Sequence, residues 1–283
     1  MDNSIFKYSA SHFKSFPLST AHWPEVAESD GFETLPRLFQ ARISERTTVS
    51  GNGEAWLSAQ EKMDLSRMGS SRRRTEFLSG RALLRRALLE VGVPDGNWEV
   101  GASRGGKPVL VAAPASPFHS PLPDFSISHG AGMVVCAVAA KGCVGMDIER
   151  ISPRRATWAE FARRVLHPVE ERALANLDET LRWQGLYRAW TLKEAIGKAL
   201  GLGLALPFRE VAIAKDDASL LALPDVIGME PSDWRLFSFQ PEPGYLAATA
   251  WHPTLRLPDV QLANPAVAAP TLSRPAASSH SRH

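Results

Sequence analysis

Cysteine is scarce in this sequence, with Cys136 and Cys143 the only two among 283 residues. They lack metal-ligand spacing and make no disulfide framework, so we expect buried thiols in a reducing compartment. Long apolar runs are also missing: the longest, residues 131–140, is far too short to cross a bilayer. The N-terminal residues lack the continuous apolar segment of a cleaved signal peptide. We therefore predict a cytoplasmic protein without a membrane partner.

Several common motifs of catalysis and nucleotide binding are missing as well. The sequence contains no Gly-x-x-x-x-Gly-Lys-Ser/Thr loop, no Gly-x-Gly-x-x-Gly turn, no Gly-x-Ser-x-Gly elbow and no His-Glu-x-x-His helix. The net charge of +2 identifies no partner, and the basic residues are not interleaved with aromatic ones, which argues against nucleic acid. Arginine is concentrated locally, however: residues 67–86 contain seven arginines and the single acid Glu76, a patch that can hold phosphates.

Hydrophobic periodicity and stop signals divide most of the chain into helices and short strands. We predict helices over residues 56–68, 72–91, 156–165, 168–176 and 180–200, the first with a capping box at Ser58 and Glu61. We predict strands at residues 35–43, 98–100, 108–111, 125–128, 133–138, 211–214, 234–240 and 245–251, and one that ends at 147–149. Helices followed by antiparallel strands, twice, indicate an α+β fold and leave a diverged duplication open.

Composition and element order also suggest how the chain is divided. We predict an N-terminal extension over residues 1–35, two halves over 36–145 and 146–258, and a disordered tail over 259–283. The extension shows no clear period, and the tail is mostly Ala, Pro and Ser with a few basic residues, a composition that does not build a core.

Two short stretches have the residues for a metal and a phosphate chain. Asp147 and Glu149 stand two apart at the end of an apolar strand, so both carboxylates share one face. Glu194 and Lys198 stand four apart and share one face of a helix. Mg²⁺ is usually held by a few carboxylates together with substrate phosphates. Each stretch alone is also typical of a solvated turn or a surface ion pair, so the interpretation depends on the other motifs.

Three further motifs could contact phosphates. The strand Phe125-Ser126-Ile127-Ser128 ends at His129, whose side chain could donate to a phosphate oxygen. The turn Gly105-Gly106-Lys107-Pro108 presents a lysine where the backbone can approach a ligand. Arginines line one helix at positions 72, 73, 74, 81 and 85, and their forks suit phosphate. A turn-capping histidine, an ordinary hairpin and a solvated basic face are the alternatives.

The order of these motifs resembles that of the 4′-phosphopantetheinyl transferases, and more narrowly their longer, surfactin-synthetase-activating (Sfp-like) class. The resemblance covers residues 35–251 and rests on the arginine-rich helix, Gly106-Lys107-Pro108, Ser126 to His129, Gly145 to Glu149 and Trp190 to Lys198. It implies an α+β fold of two similar halves related by a pseudo-twofold, with the active site in the cleft between them. It also implies transfer of phosphopantetheine from coenzyme A to a serine of an apo carrier protein, with release of adenosine 3′,5′-bisphosphate.

The resemblance assigns roles to individual positions. It implies that Asp147, Glu149 and Glu194 coordinate Mg²⁺ and that Lys198 contacts the phosphate under attack. We also predict that Glu194 helps to remove the serine proton, directly or through a metal-bound water. The implied catalytic residues are thus Glu194, Lys198 and Asp147. The residues expected to contact coenzyme A are Lys107, Ser128, His129, Arg74, Arg81 and Lys193. Candidates for carrier docking are Arg154, Arg155, Arg163, Arg164 and the loop over residues 202–207.

Both halves lie in one chain, so we expect a monomer. Two other functions remain open: a coenzyme A-binding interaction protein without catalysis, and a Mg²⁺-dependent phosphohydrolase. The sequence does not say whether the carrier belongs to fatty-acid synthesis or to a peptide or polyketide synthetase.

Overall fold

Five helices and eleven strands make up the regular structure of the described residues. The computed structural model describes residues 13–17, 35–43, 55–103, 105–113, 121–152, 157–215 and 219–256. The helices are α1 (Ala59–Ser66), α2 (Ser71–Glu90), α3 (Trp158–Val165), α4 (Pro168–Ala175) and α5 (Glu179–Leu200). Single 3₁₀ turns occur at Gly203–Ala205, Phe208–Glu210, Asp225–Ile227 and Pro231–Asp233.

The strands form two larger antiparallel sheets and two small hairpins. They are β1 (Phe13–Pro17), β2 (Arg37–Arg42), β3 (Trp98–Ala102), β4 (Pro108–Ala112), β5 (Asp124–Gly130), β6 (Met133–Ala139), β7 (Cys143–Arg150), β8 (Ala212–Ile213), β9 (Leu220–Ala222), β10 (Arg235–Phe239) and β11 (Tyr245–His252). One sheet has the order β1-β2-β6-β5 and the other β10-β11-β7, while β3 pairs with β4 and β8 with β9.

The helix ends follow from the residues at their termini. The Ser58 hydroxyl accepts a hydrogen bond from the Glu61 amide and the Glu61 carboxylate accepts one from the Ser58 amide, so the capping box at the start of α1 is confirmed. Helix α5, the longest of the described helices, ends at Gly201, whose φ of 71° lies in the left-handed region that glycine enters without strain. This stop places the last turn of α5, with Lys198, next to the loop that follows.

The two larger sheets meet along β5 and β7, which are joined by side chains instead of a backbone ladder. Every second residue of β5 faces β7. Asp124 accepts a hydrogen bond from the Val144 amide at 2.6 Å and Ser126 accepts one from the Met146 amide at 2.9 Å. These polar side chains satisfy the free edge of β7, which would otherwise expose unpaired backbone groups.

Helix α5 packs directly on β7, and a glycine makes this possible. A Cβ atom at Gly145 would lie 1.8 Å from the carbonyl oxygen of Ala195, so only glycine fits between the strand and the helix. On the far side, α5 belongs to an apolar core with α3, α4 and the last strands, built around Leu186, Leu192 and Ile196. The helix and β7 are therefore held at a fixed distance.

The α+β class predicted from the sequence is confirmed, with differences in detail. Strand β1 lies inside the predicted N-terminal extension and pairs with β2, and β9 was not predicted. The predicted boundary between residues 145 and 146 falls inside β7. The tail over 259–283 and the docking candidates Arg154 and Arg155 lie outside the described residues. No helix in the described part of the chain has the length and apolar character needed to cross a membrane.

Candidate functional site

Asp147, Lys198 and Ser128 meet where β7, α5 and β5 come together. The Lys198 Nζ donates to Asp147 Oδ1 at 2.6 Å and to the Ser128 hydroxyl at 2.8 Å. The Ser128 hydroxyl in turn donates to Asp147 Oδ1 at 2.8 Å. The Asp147 side chain is 7% exposed and that of Lys198 28%, so the ion pair sits at the edge of the interior. The structure thus brings together a strand residue and a helix residue that are 51 positions apart.

Glu194 lies one helical turn before Lys198, and the negative charge of Asp147 acts on its carboxyl group. Burial raises the pKa of Glu194, the negative charge of Asp147 raises it further, and Lys198 opposes both effects. Because burial and the charge of Asp147 disfavour the ionised form of Glu194, a cation bound beside this carboxylate would stabilise it.

The fit of these residues to a divalent cation is partial. The second carboxylate oxygen of Asp147, Oδ2, is buried and has no hydrogen-bond partner within the described structure, which leaves it available as an oxygen ligand. Glu149 lies two residues on along β7. However, no group of three or more His, Cys, Asp or Glu side chains among the described residues is arranged to hold a metal ion. Asp147 and Glu194 therefore suit a divalent cation such as Mg²⁺, whereas the predicted cluster of Asp147, Glu149 and Glu194 is not already assembled in this structure.

A cavity of about 290 Å³ adjoins this cluster and shares Lys198 with it. Helix α2, the β3–β4 turn, β5 and the loop after α5 each form part of its wall. Its lining residues are Arg81, Gly105, Gly106, Lys107, Pro108, Phe125, Ser126, Ile127, Lys198, Gly201, Leu202 and Gly203. Three basic residues, glycine backbone and apolar groups in one cleft suit a ligand with both phosphate and ring portions.

Of the predicted arginine contacts, Arg81 lines this cavity and Arg74 does not. Arg81 packs over the ring of Phe77 and lies 3.0 Å from Glu61, and burial lowers its pKa. Arg74 donates to the carbonyl of Leu65 at 2.8 Å, which ties α2 to α1. The predicted nucleotide contact therefore has a geometric basis for Arg81 alone.

His129 follows Ser128 on β5 and so points to the opposite face of the strand. Its side chain is 47% exposed, and its Nδ1 lies 3.6 Å from Glu76 of α2. Its predicted contact with a phosphate stays a prediction.

Two residues predicted to contact coenzyme A have ammonium groups that are enclosed by protein acceptors. Lys193 is fully buried and donates to Glu170 at 2.6 Å and to two backbone carbonyls, those of Val165 at 2.8 Å and Phe208 at 2.9 Å. Burial lowers the pKa of Lys193 to about 8, against the charge of Glu170. Its role is to join α5 to α3, α4 and the loop beyond.

Lys107 is the second of these residues. Its ammonium donates to Asp124 at 2.5 Å and to the carbonyls of Val144 at 3.0 Å and Ala199 at 3.4 Å. The side chain is 4% exposed, so its charge is used inside the protein instead of facing a phosphate, although its stem borders the cavity.

Sequence reasoning missed the roles of Asp124 and Ser126. Their signal was present: polar residues at 124, 126 and 128 alternate with apolar ones in a strand otherwise suited to the interior. Such alternation on a buried strand indicates a polar partner on one face, here the edge of β7.

A larger cavity of about 740 Å³ lies elsewhere, between α4, α5 and the strands β8 to β11. It is lined mostly by apolar residues such as Leu174, Leu181 and Phe239. None of the residues predicted for the site lines it, so we place the chemistry in the smaller, charged cleft.

Comparisons with known proteins point in the same direction. Residues 143–250 match the model of the ACPS family, the 4′-phosphopantetheinyl transferase superfamily. This stretch runs from the start of β7 into β11 and contains Asp147, Glu194 and Lys198. A solved structure, that of Thermotoga maritima holo-[acyl-carrier-protein] synthase, is 21% identical over 41% of this chain and 65% of that chain, with a TM-score of 0.32, below the similarity that establishes a common fold.

Curated relatives match a longer part of the chain. A 4′-phosphopantetheinyl transferase of Bacillus subtilis is 31% identical over 204 residues, which are 70% of this chain and 84% of that protein. The 4′-phosphopantetheinyl transferase HetI of Nostoc sp. is 29% identical over 70% of this chain and 82% of its own length. The transferase Sfp of Bacillus subtilis is 32% identical over 47% of this chain and 58% of that protein. The chain therefore belongs to the 4′-phosphopantetheinyl transferase superfamily and is a transferase enzyme.

Proposed function

We propose that this enzyme transfers the 4′-phosphopantetheine arm of coenzyme A to a serine of an apo carrier protein and releases adenosine 3′,5′-bisphosphate. The observation that carries the proposal is the cluster of Asp147, Lys198 and Ser128, which shares Lys198 with a charged cleft between β5 and α5. A phosphate chain that enters the cleft meets a lysine, and beyond it the carboxylates of Asp147 and Glu194.

Mg²⁺ is the proposed cofactor, held by Asp147 through its free Oδ2 and by Glu194, with Glu149 as the third proposed ligand. Two or three protein carboxylates suffice, because this ion commonly completes its coordination with substrate phosphates and water. When bound, it neutralises charge on the diphosphate of coenzyme A.

Lys198 and Glu194 have separate roles in the proposed transfer step. The serine oxygen of the carrier forms a bond to the phosphorus that bears the pantetheine arm, and the bond from that phosphorus to the bridging oxygen breaks. Lys198 stabilises the negative charge that grows on the phosphates. Glu194 accepts the serine proton, directly or through a water. The adenosine bisphosphate departs with the bridging oxygen.

The carrier is proposed to dock beside the mouth of the cleft. Leu202 and Leu204, in the loop after α5, are 39% and 79% exposed, and Leu202 also lines the cleft. Arg163 and Arg164 form the basic last turn of α3. An apolar surface with basic edges suits an acidic carrier protein, and we expect the association to weaken with salt.

The wider assignments are proposals of the same kind. We infer that the helix-and-sheet units around α2 and α5 are the two pseudo-twofold halves expected from the resemblance, that the enzyme acts as a monomer, and that it works in the cytoplasm. The carrier itself is one of fatty-acid synthesis or of a peptide or polyketide synthetase.

Mass spectrometry of a panel of apo carrier proteins, incubated with the enzyme, coenzyme A and Mg²⁺, tests the proposal. We expect a phosphopantetheine mass gain on the carrier serine, which is lost when a chelator removes Mg²⁺. Binding of coenzyme A without a mass gain on any carrier would favour the interaction protein. Release of phosphopantetheine in a reaction without carrier would favour the phosphohydrolase.

A further inference from the structure

Lys107 joins the turn over residues 105–108 to the interior of the protein. All three protons of its ammonium group have acceptors within the protein. Lys107 leaves the tip of the β3–β4 hairpin and its ammonium reaches Asp124, the carbonyl of Val144 and the carbonyl of Ala199. An ammonium has three protons, and three acceptors surround this one. A phosphate could bind it only by displacing one of these acceptors, either a buried carboxylate that would lose its cation or a buried carbonyl that would lose its donor.

Asp124 completes the connection from the side of β5. Its Oδ2 accepts from the Lys107 ammonium at 2.5 Å and from the Val144 amide at 2.6 Å. The Val144 carbonyl accepts from the same ammonium. The lysine and the aspartate together therefore satisfy both backbone groups of one residue on the edge of β7, three residues before Asp147.

The backbone of the turn is pressed onto the end of α5. A Cβ atom at Gly105 would lie 2.6 Å from the carbonyl oxygen of Gly201, and one at Gly201 would lie 3.4 Å from the Lys107 Cβ. The Ala199 carbonyl, bound by Lys107, belongs to the same last turn of α5 as Lys198. Glycines from the turn and from the loop after α5 then form facing walls of the 290 Å³ cleft.

We propose that Lys107 and Asp124 form a positioning clamp, which fixes the β3–β4 turn against β7 and the C-terminal end of α5 and thereby sets the width of the cleft and the place of Lys198. Neither residue touches the substrate through its charged group. The effect on catalysis rests on the proposed function, whereas the mechanical link itself does not.

A second buried lysine pair among the described residues provides a matched control. Glu170, like Asp124, accepts from a buried lysine, at 2.6 Å, and from the backbone, here the amides of Ile213 at 3.0 Å and His167 at 2.8 Å. It lies outside the cleft. Asp124→Asn and Glu170→Gln therefore make the same chemical change, from carboxylate to amide, beside a buried lysine. Only the carboxylate of Asp124 is proposed to hold the walls of the cleft together.

Hydrogen–deuterium exchange tests the link without any assumption about activity. We expect Asp124→Asn to speed exchange in both residues 105–112 and residues 199–203, and Glu170→Gln to leave both segments unchanged. If Asp124→Asn leaves exchange in these segments at the wild-type rate, the clamp does not exist. Failure of the wild-type chain to modify any carrier would instead overturn the proposed function and leave this result standing.

Steady-state kinetics tests the catalytic consequence, at a temperature where every variant is folded. We expect Lys107→Met and Asp124→Asn each to lower kcat/KM for coenzyme A by about ten- to a hundredfold, the effect of a displacement near 1 Å. The double variant should lose no more than the worse single one, since both break one link. Glu170→Gln should keep kcat/KM within about twofold of wild type.

A substrate without the 3′-phosphate separates positioning from direct contact. The clamp predicts that Lys107→Met slows transfer from coenzyme A and from 3′-dephospho-coenzyme A by the same factor. If Lys107→Met raises KM for coenzyme A alone while Asp124→Asn behaves as wild type, Lys107 binds the phosphate directly and the proposal is wrong.

Discussion

Replacing Gly145 by alanine tests the contact between β7 and α5, on which the site depends. A Cβ atom at this position would lie 1.8 Å from the carbonyl oxygen of Ala195 and 2.5 Å from the amide nitrogen of Ala199. Both are backbone atoms of α5, so no change of side-chain rotamer can relieve the overlap. Real Cβ atoms essentially never come within 3.0 Å of a heavy atom outside their own residue and its chain neighbours. The strand and the helix must therefore separate by about 1.2 Å, the difference between 3.0 and 1.8 Å.

The expected loss follows from that separation. Overpacking that forces a backbone shift costs about 1–3 kcal/mol. We expect Gly145→Ala to lower the free energy of unfolding by about 2–3 kcal/mol or more. The same shift pulls Lys198 away from Asp147, now 2.6 Å apart. A displacement near 1 Å at a site costs about 10²-fold in rate, so carrier modification should slow by about that factor or more.

Urea unfolding followed by tryptophan fluorescence and the carrier transfer assay measure the two effects. Gly197→Ala, whose Cβ would lie 2.7 Å from the Gly203 carbonyl oxygen, should give an intermediate loss, and Gly69→Ala, with nothing within 4 Å, should change stability by under about 0.5 kcal/mol. The reasoning is refuted if Gly145→Ala matches Gly69→Ala in both assays. Should Gly145→Ala yield no folded protein, equal stability of the Gly197 and Gly69 variants would refute it.

Three further predictions concern the cluster and the cysteines. Lys198→Ala should lower kcat by about 10²–10³-fold, as loss of a charge-stabilising group does; unchanged turnover in single-turnover assays would remove that role. Ser128→Ala should cost about 1–3 kcal/mol in urea unfolding, because it removes hydrogen bonds to an ionised pair, and a wild-type midpoint would contradict the bonding seen at Asp147. Burial raises the pKa of Cys143 to about 12 and that of Cys136 further still, so neither thiol should react with a thiol reagent at pH 8 until denaturant is added. As pH rises toward 12 the thiolate fraction of Cys143 grows, and fast native labelling already at pH 8 would show that the thiol is accessible.

Much of the fold could be predicted from the sequence because local signals agreed with the tertiary structure. The capping box at Ser58, the glycine stop at Gly201 and the turn before Tyr245 all lie where the pattern indicated. Strand β1 was missed because its five residues have no pattern of their own and become a strand by pairing with β2.

The site shows the same division. The meeting of Asp147 with Lys198 followed from two periodicities, one of a strand and one of a helix. The burial of Lys107 and Lys193 could not be predicted from these periodicities, because it depends on residues far away in the chain, such as Glu170 for Lys193. Helix geometry did indicate that Lys193 and Glu194 face different sites. The two residues are adjacent in sequence, so their side chains lie about 100° apart around the helix.

A crystal structure of the enzyme with coenzyme A and Mn²⁺ in place of Mg²⁺ tests the central claim most directly, since anomalous scattering locates the ion. We predict an ion bound by Asp147 Oδ2, Glu194 and the diphosphate oxygens, with Lys198 against the same diphosphate. An ion and a diphosphate bound away from Asp147 and Glu194 would contradict the account.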